Sequence, residues 1–101
     1  MEHVRRAAFL VRDPEQVREC ARSALGLGIQ NIQVGLFIID AAPRFEGSGA
    51  EFAERLEMLD DLEAEVYSNV AAHVAAWDHV RPATVGEMAA ILSSYDLVVA
   101  F

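Results

Sequence analysis

Apolar and polar positions alternate along this chain between short unbroken apolar runs and longer amphipathic stretches. Residues 7–11, Ala-Ala-Phe-Leu-Val, form the first run and stop abruptly at Arg12-Asp13-Pro14. A run without polar alternation fits a strand covered on both faces. Such a strand needs helices on both sides, which proposes a three-layer α/β domain with this strand at its centre. Asp13-Pro14 then reads as a helix start, a capping carboxylate followed by a residue with a preset φ and no N–H to leave unpaired. Val17, Cys20, Ala21, Ala24 and Leu25 recur at helical spacing, with Glu15, Arg18, Glu19 and Arg22 mainly opposite. Gly26 or Gly28 is expected to end that helix as a left-handed cap. The most apolar segment follows, Val34-Gly35-Leu36-Phe37-Ile38-Ile39, ended by Asp40. It predicts a second strand, parallel to the first through a right-handed crossover.

The pattern continues in the same alternation. Residues 41–49 read as a loop finishing in Gly47-Ser48-Gly49, and Ser48 with Glu51 forms a capping box for a helix over 50–62 with Phe52, Leu56, Leu59 and Leu62 as its buried stripe. A brief third strand is expected over 64–68, then a short helix over 69–79 capped by Asn69. Pro82 makes 80–83 an edge strand. Thr84 and Glu87 are a second capping box, opening a helix with Val85, Met88, Ala89 and Leu92 as its apolar face. Residues 96–101 supply a last strand. These elements predict a single small flavodoxin-like open sheet, mainly parallel, of four to five strands with helices on both faces.

Composition narrows the function classes. The chain of 101 residues is the size of one domain. Its net charge of -8 comes from 16 acidic residues against 8 arginines, with no lysine, so binding to nucleic acid through phosphate neutralisation is disfavoured. No apolar run approaches the roughly 20 residues that span a bilayer, and the polar start has no signal-peptide pattern, so a cytoplasmic protein without membrane contact is expected. A hydrophobic fraction of 53% suggests more apolar surface than one core absorbs, and homo-oligomerisation is the natural outlet. The single Cys20 excludes an intrachain disulfide and a CxxC redox pair.

Candidate chemistry follows from the topology of open parallel sheets, which bind ligands beyond the carboxyl ends of the strands where the strand order reverses. With the second strand on one side of the first and the third on the other, Arg12 and Asp13 face Ser68 and Asn69 across that crevice, with Asp40 and the Gly47-Ser48-Gly49 turn as outer neighbours. This set is a candidate site for a small anion or nucleotide. The same residues have plainer readings: Asp13 as a helix cap, Arg12 as a solvated flank, and a glycine turn lacking the lysine and spacing of a P-loop. Cys20 lies on the apolar stripe of its helix and reads as a small hydrophobe, with a nucleophilic thiol as the alternative. Glu54, Glu57 and Asp61 read as a solvated face. His73, Trp77 and His79 suit packing or a contact between subunits, with a ligand pocket as the alternative. No metal site or cofactor is expected.

Several phrases carry a resemblance. Phe9-Leu10-Val11-Arg12-Asp13-Pro14 followed by Ala21-Arg22-Ser23-Ala24-Leu25-Gly26-Leu27-Gly28 resembles the first strand, Asp-Pro turn and first helix of the DsrE/DsrF-like sulfur-relay family, which includes TusD-type subunits. Val34-Gly35-Leu36-Phe37-Ile38-Ile39-Asp40 resembles its second strand. Residues 62–67, Thr84-Val85-Gly86-Glu87-Met88-Ala89 and residues 96–101 resemble its third strand, last helix and terminal strand. Active members carry a persulfide on a cysteine just after the third strand. Here that region reads Tyr67-Ser68-Asn69-Val70, so the sulfur-carrying role transfers to no residue. The resemblance therefore implies a non-catalytic DsrE-like domain, a homo-oligomer of trimeric or hexameric form or an accessory subunit beside a thiol-bearing sulfur-relay protein.

Overall fold

A computed structural model of the chain describes residues 5–13, 15–30, 32–40 and 50–101. Its elements alternate strictly: β1 (Arg6–Val11), α1 (Val17–Gly28), β2 (Gln33–Ile38), α2 (Ala50–Asp61), β3 (Glu65–Ser68), α3 (Ala71–Ala76), β4 (Val80–Pro82), α4 (Val85–Leu92) and β5 (Leu97–Ala100). All four strand pairings are parallel, and the strands lie in the order β4-β3-β2-β1-β5. The small flavodoxin-like open sheet with helices on both faces is thus the observed architecture. The order differs from the expected one. β1 is an inner strand, but β2 is the middle of the sheet and lies between β1 and β3, because three successive crossovers step in one direction before the chain returns to add β5 beside β1.

That path decides where the helices go. Right-handed crossovers stepping the same way put α1, α2 and α3 on one face of the sheet, and the reversed step from β4 to β5 puts α4 on the other. The side chains follow suit. Phe9, Val11, Leu36, Ile38 and Val66 pack with Val17, Cys20 and Ala24 of α1 and Leu56 and Leu59 of α2. On the opposite face Ala8, Phe37 and Ile39 pack with Met88 of α4 and with Tyr95. Alternate residues of β1 and β2 therefore serve two separate cores, which explains why these strands read as unbroken apolar runs.

Local chemistry sets most element ends. Thr84 Oγ1 accepts from the Glu87 N–H at 3.1 Å while Glu87 Oε1 accepts from the Thr84 N–H at 2.9 Å, the expected capping box, here at the start of α4. On the exposed side of α4, however, Val85 and Ala89 face outward, and Met88, Ile91 and Leu92 make its contacts. Helix α1 begins at Val17, later than expected: Asp13 Oδ1 accepts from the Glu15 N–H at 2.9 Å and its carbonyl from the Gln16 N–H at 2.9 Å, so the acid organises a turn ahead of the helix. Gly26 and Gly28 lie inside α1, whose C-cap Ile29 is right-handed, so neither glycine is a left-handed cap. Gly28 instead permits close approach, since a Cβ there would sit 3.2 Å from Leu62 Cδ1. Leu62 itself is exposed rather than part of the buried stripe.

The left-handed cap occurs after α2, on a residue that is not glycine. Glu63 has φ 61°, with its N–H on the Asp60 carbonyl at 2.9 Å and the Ala64 N–H on the Leu59 carbonyl at 2.9 Å. This pair of bonds is a Schellman motif, which turns the chain directly into β3. The Ser48–Glu51 capping box and the Gly47-Ser48-Gly49 turn lie outside the described residues, as do the side chains of Phe52 and His73.

Candidate functional site

The carboxyl ends of β2, β3 and β4 meet in a small polar cluster. Leaving β2, the chain passes through Asp40 in a left-handed conformation, φ 54°. Its N–H donates to Asn69 Oδ1 at 2.8 Å, and its Oδ1 accepts from Asn69 Nδ2 at 2.7 Å. An amide carries both a donor and an acceptor, so Asn69 satisfies backbone and side chain of Asp40 together. Ser68, the last residue of β3, is 1% exposed, and its Oγ accepts from the Val70 N–H at 3.0 Å. The Ser68 hydroxyl, and not Asn69, thus supports the turn into α3.

Beside this cluster lies a cleft of about 620 Å³, bounded by Ser68, Asn69 and Ala71 on one side and Ala83, Thr84 and Glu87 on the other. Its electrostatics are acidic to neutral. The capping bonds with Thr84 hold the Glu87 carboxyl below the usual carboxylate range, and they occupy two of the four N–H groups, those of Thr84 and Glu87, that the start of α4 would otherwise offer to an anion.

Of the five residues proposed as a site, the structure brings Asp40, Ser68 and Asn69 together and leaves Arg12 and Asp13 apart. β2 intervenes between the ends of β1 and β3, a separation of two strand spacings, about 9–10 Å. Arg12 and Asp13 are exposed and border the true reversal of strand order, between β1 and β5. The opposite wall there is apolar: the Phe101 N–H donates to the Leu10 carbonyl at 2.8 Å and its ring tilts onto Phe9 with centroids 6.3 Å apart.

Cys20 is fully buried in the three-helix core, and burial pushes its thiol up to about 12, so almost none is thiolate at neutral pH. Trp77 packs against the same core, and His79 Nδ1 lies 3.5 Å from Asp60 Oδ2. Among the described residues no three His, Cys, Asp or Glu side chains gather to hold a metal ion.

The α4 face holds a cluster that the sequence reading missed. Glu65 lies 3.8 Å from both Arg6 Nη2 and Arg81 Nη1, and it accepts a hydrogen bond from the Tyr67 hydroxyl. The Arg6 guanidinium stands 4.3 Å from the centroid of the Tyr95 ring, and Phe37 contacts both tyrosines, stacked on Tyr67 at 5.4 Å and edge-on to Tyr95 at 5.7 Å. Tyr95 lies flush on Gly35, where a Cβ would sit 2.8 Å from its Cζ. Strand register creates this group: Gly35 is level with Glu65, and Tyr67 with Arg81. Only the polar alternation of Glu65 and Tyr67 was a visible signal.

Comparison of the chain with protein-family models, with curated proteins and with solved structures returns no match.

Proposed function

We propose that the protein is a non-catalytic DsrE-like domain of the cytoplasm, working as a homo-oligomer or as an accessory subunit beside a thiol-bearing partner in a sulfur-relay-type process. The observation that carries this reading is the end of β3. Ser68 stands where the resemblance expects the persulfide cysteine, and its hydroxyl is buried against the Val70 N–H. A serine hydroxyl forms no persulfide. The one thiol, Cys20, is fully buried and held protonated, which argues against a sulfurtransferase built on it. The test combines a thiol probe with a persulfide donor. Cys20 is expected to resist both in the folded protein and to react once unfolded, while native mass spectrometry shows an assembly larger than one chain. A persulfide on Cys20 of the folded protein would overturn the non-catalytic reading, and a strict monomer that also fails to bind a thiol-bearing sulfur-relay protein would overturn the subunit role.

A second reading is favoured by the cleft beside Asp40, Ser68 and Asn69, whose volume of about 620 Å³ suits a small molecule. Inorganic anions and nucleotides are the probes. A binder at a hundredfold excess over its dissociation constant raises stability by about 2.7 kcal/mol, a readily measured thermal shift. With Arg12 two strands away and Glu87 in the wall, phosphate is expected to give none, and absence of a shift with every nucleotide removes this reading.

A further inference from the structure

The two edges of the sheet are built differently. Edge strands present unpaired N–H and C=O groups that recruit other strands unless charge, proline or distortion blocks them. β4 is blocked: its three residues include Arg81 and Pro82, both exposed. β5 has neither safeguard. Leu97-Val98-Val99-Ala100 is uncharged, with Leu97 42% and Val98 46% exposed on opposite faces.

We infer that β5 is a self-association edge, pairing antiparallel with β5 of a second copy about a two-fold axis through Val99. This rests on the oligomeric part of the reading above and names its contact. The backbone selects the register. Val11 bonds toward β2, through the Ile39 N–H at 2.9 Å, and Leu10 toward β5, through the Phe101 N–H at 2.8 Å. Alternation along a parallel ladder then turns the backbone groups of residues 97, 99 and 101 inward and those of Val98 and Ala100 outward. With Val99 on the axis, Val98 of each copy meets Ala100 of the other and exchanges both hydrogen bonds with it. The two Val99 residues form the non-hydrogen-bonded pair between them, and Leu97 meets Phe101. Each pair joins residues of the same face, so the two sheets become one with the α4 helices on a common side.

Charge selects the occupant. A basic partner would be drawn to acidic surface such as Glu54, Glu57, Asp60 and Asp61 of α2, all exposed, whereas the edge from Leu97 to Phe101 offers it nothing. A copy of the same strand matches this neutral strip. A ladder of four residues, about 13 Å long, engages far fewer than the roughly 20–30 residues a side of a standard interface. The contact is therefore weak and concentration-dependent.

The test is disulfide trapping in the full chain. A non-hydrogen-bonded antiparallel pair has its Cα atoms about 4.5 Å apart, within the roughly 4.4–6.8 Å that a disulfide spans. Val99→Cys is expected to give a covalent dimer on mild oxidation, and Val85→Cys, exposed on α4, to give none. Val98→Lys places two charges in the ladder and is expected to shift sedimentation toward the unpaired species. Val98→Pro does the same by removing an N–H that the ladder turns outward, away from β1, and circular dichroism checks that both variants fold. An assembly that persists in both folded variants, with no Val99→Cys crosslink, overturns the β5 contact and leaves the oligomeric reading intact. A monomer at every concentration overturns both.

Discussion

The two faces of the sheet solve burial by opposite means. The three-helix face is closed by hydrocarbon, with Leu56 and Leu59 of α2 and Val17, Cys20 and Ala24 of α1 against Phe9, Leu36 and Ile38. Among the described residues the other face has a single helix, of eight residues, and where α4 stops, ring and ion contacts replace helix: Tyr95 over Gly35, Arg6 over Tyr95, and Glu65 between two arginines. An apolar core tolerates no loss of volume, whereas a surface built from stacked rings and partly exposed ion pairs tolerates loss of a polar atom but not intrusion of a new one.

Truncation separates the two most sharply. Leu59→Ala is expected to cost about 3–5 kcal/mol by urea denaturation, because Leu59 is fully buried beneath the α2–β3 corner. Met88→Ala on the α4 face is expected to cost about 2 kcal/mol, and equal losses would remove the contrast. Intrusion comes next. Gly35→Ala displaces Tyr95 and is expected to cost about 1–3 kcal/mol, with a change in tyrosine near-ultraviolet circular dichroism.

Smaller effects sharpen the picture. Glu63→Gly relieves a left-handed residue at the Schellman corner and is expected to stabilise by about 0.5–1 kcal/mol. Tyr95→Phe removes a buried hydroxyl that has no hydrogen-bond partner among the described residues. It is expected to leave stability unchanged or raise it by up to about 1 kcal/mol, and a clear loss would show that the hydroxyl is paired. Asp96, finally, accepts the backbone N–H groups of Arg5 and Arg6 at 3.0 Å each, and these bonds hold its carboxyl below the usual range. A lowered folded pKa means that its contribution is full above the unfolded carboxylate pKa and fades as pH falls through the folded value. Asp96→Asn is accordingly expected to flatten the acid side of the stability–pH profile.

Much of the architecture was legible because it is written locally. The runs at β1 and β2 lack polar alternation because each strand feeds two cores, and Thr84 with Glu87 marks the start of α4 through bonds three residues apart. Strand order was not legible, since it depends on the direction in which each crossover steps and no residue of β1 or β3 encodes that alone. The candidate site divided along the same line. Asp40 meets Asn69 because β2 and β3 are neighbours, while Arg12 is separated from Ser68 because β3 lies beside β2 and not, as expected, beside β1. The Glu63 cap was invisible for another reason: glycine is the usual signal there, and the chain uses glutamate.

The pairing of β5 with β1 has a kinetic consequence. β1 to β4 can assemble outward in chain order, each strand beside its predecessor, but the other side of β1 stays open until residues some 90 positions later arrive. Late closure of so distant a pair raises contact order and slows folding. During that interval the bare flank of Ala7 to Val11 is an unpaired apolar strand edge of the kind that aggregates, and the Asp96 carboxylate, by accepting from the amides of Arg5 and Arg6, is the latch that closes it.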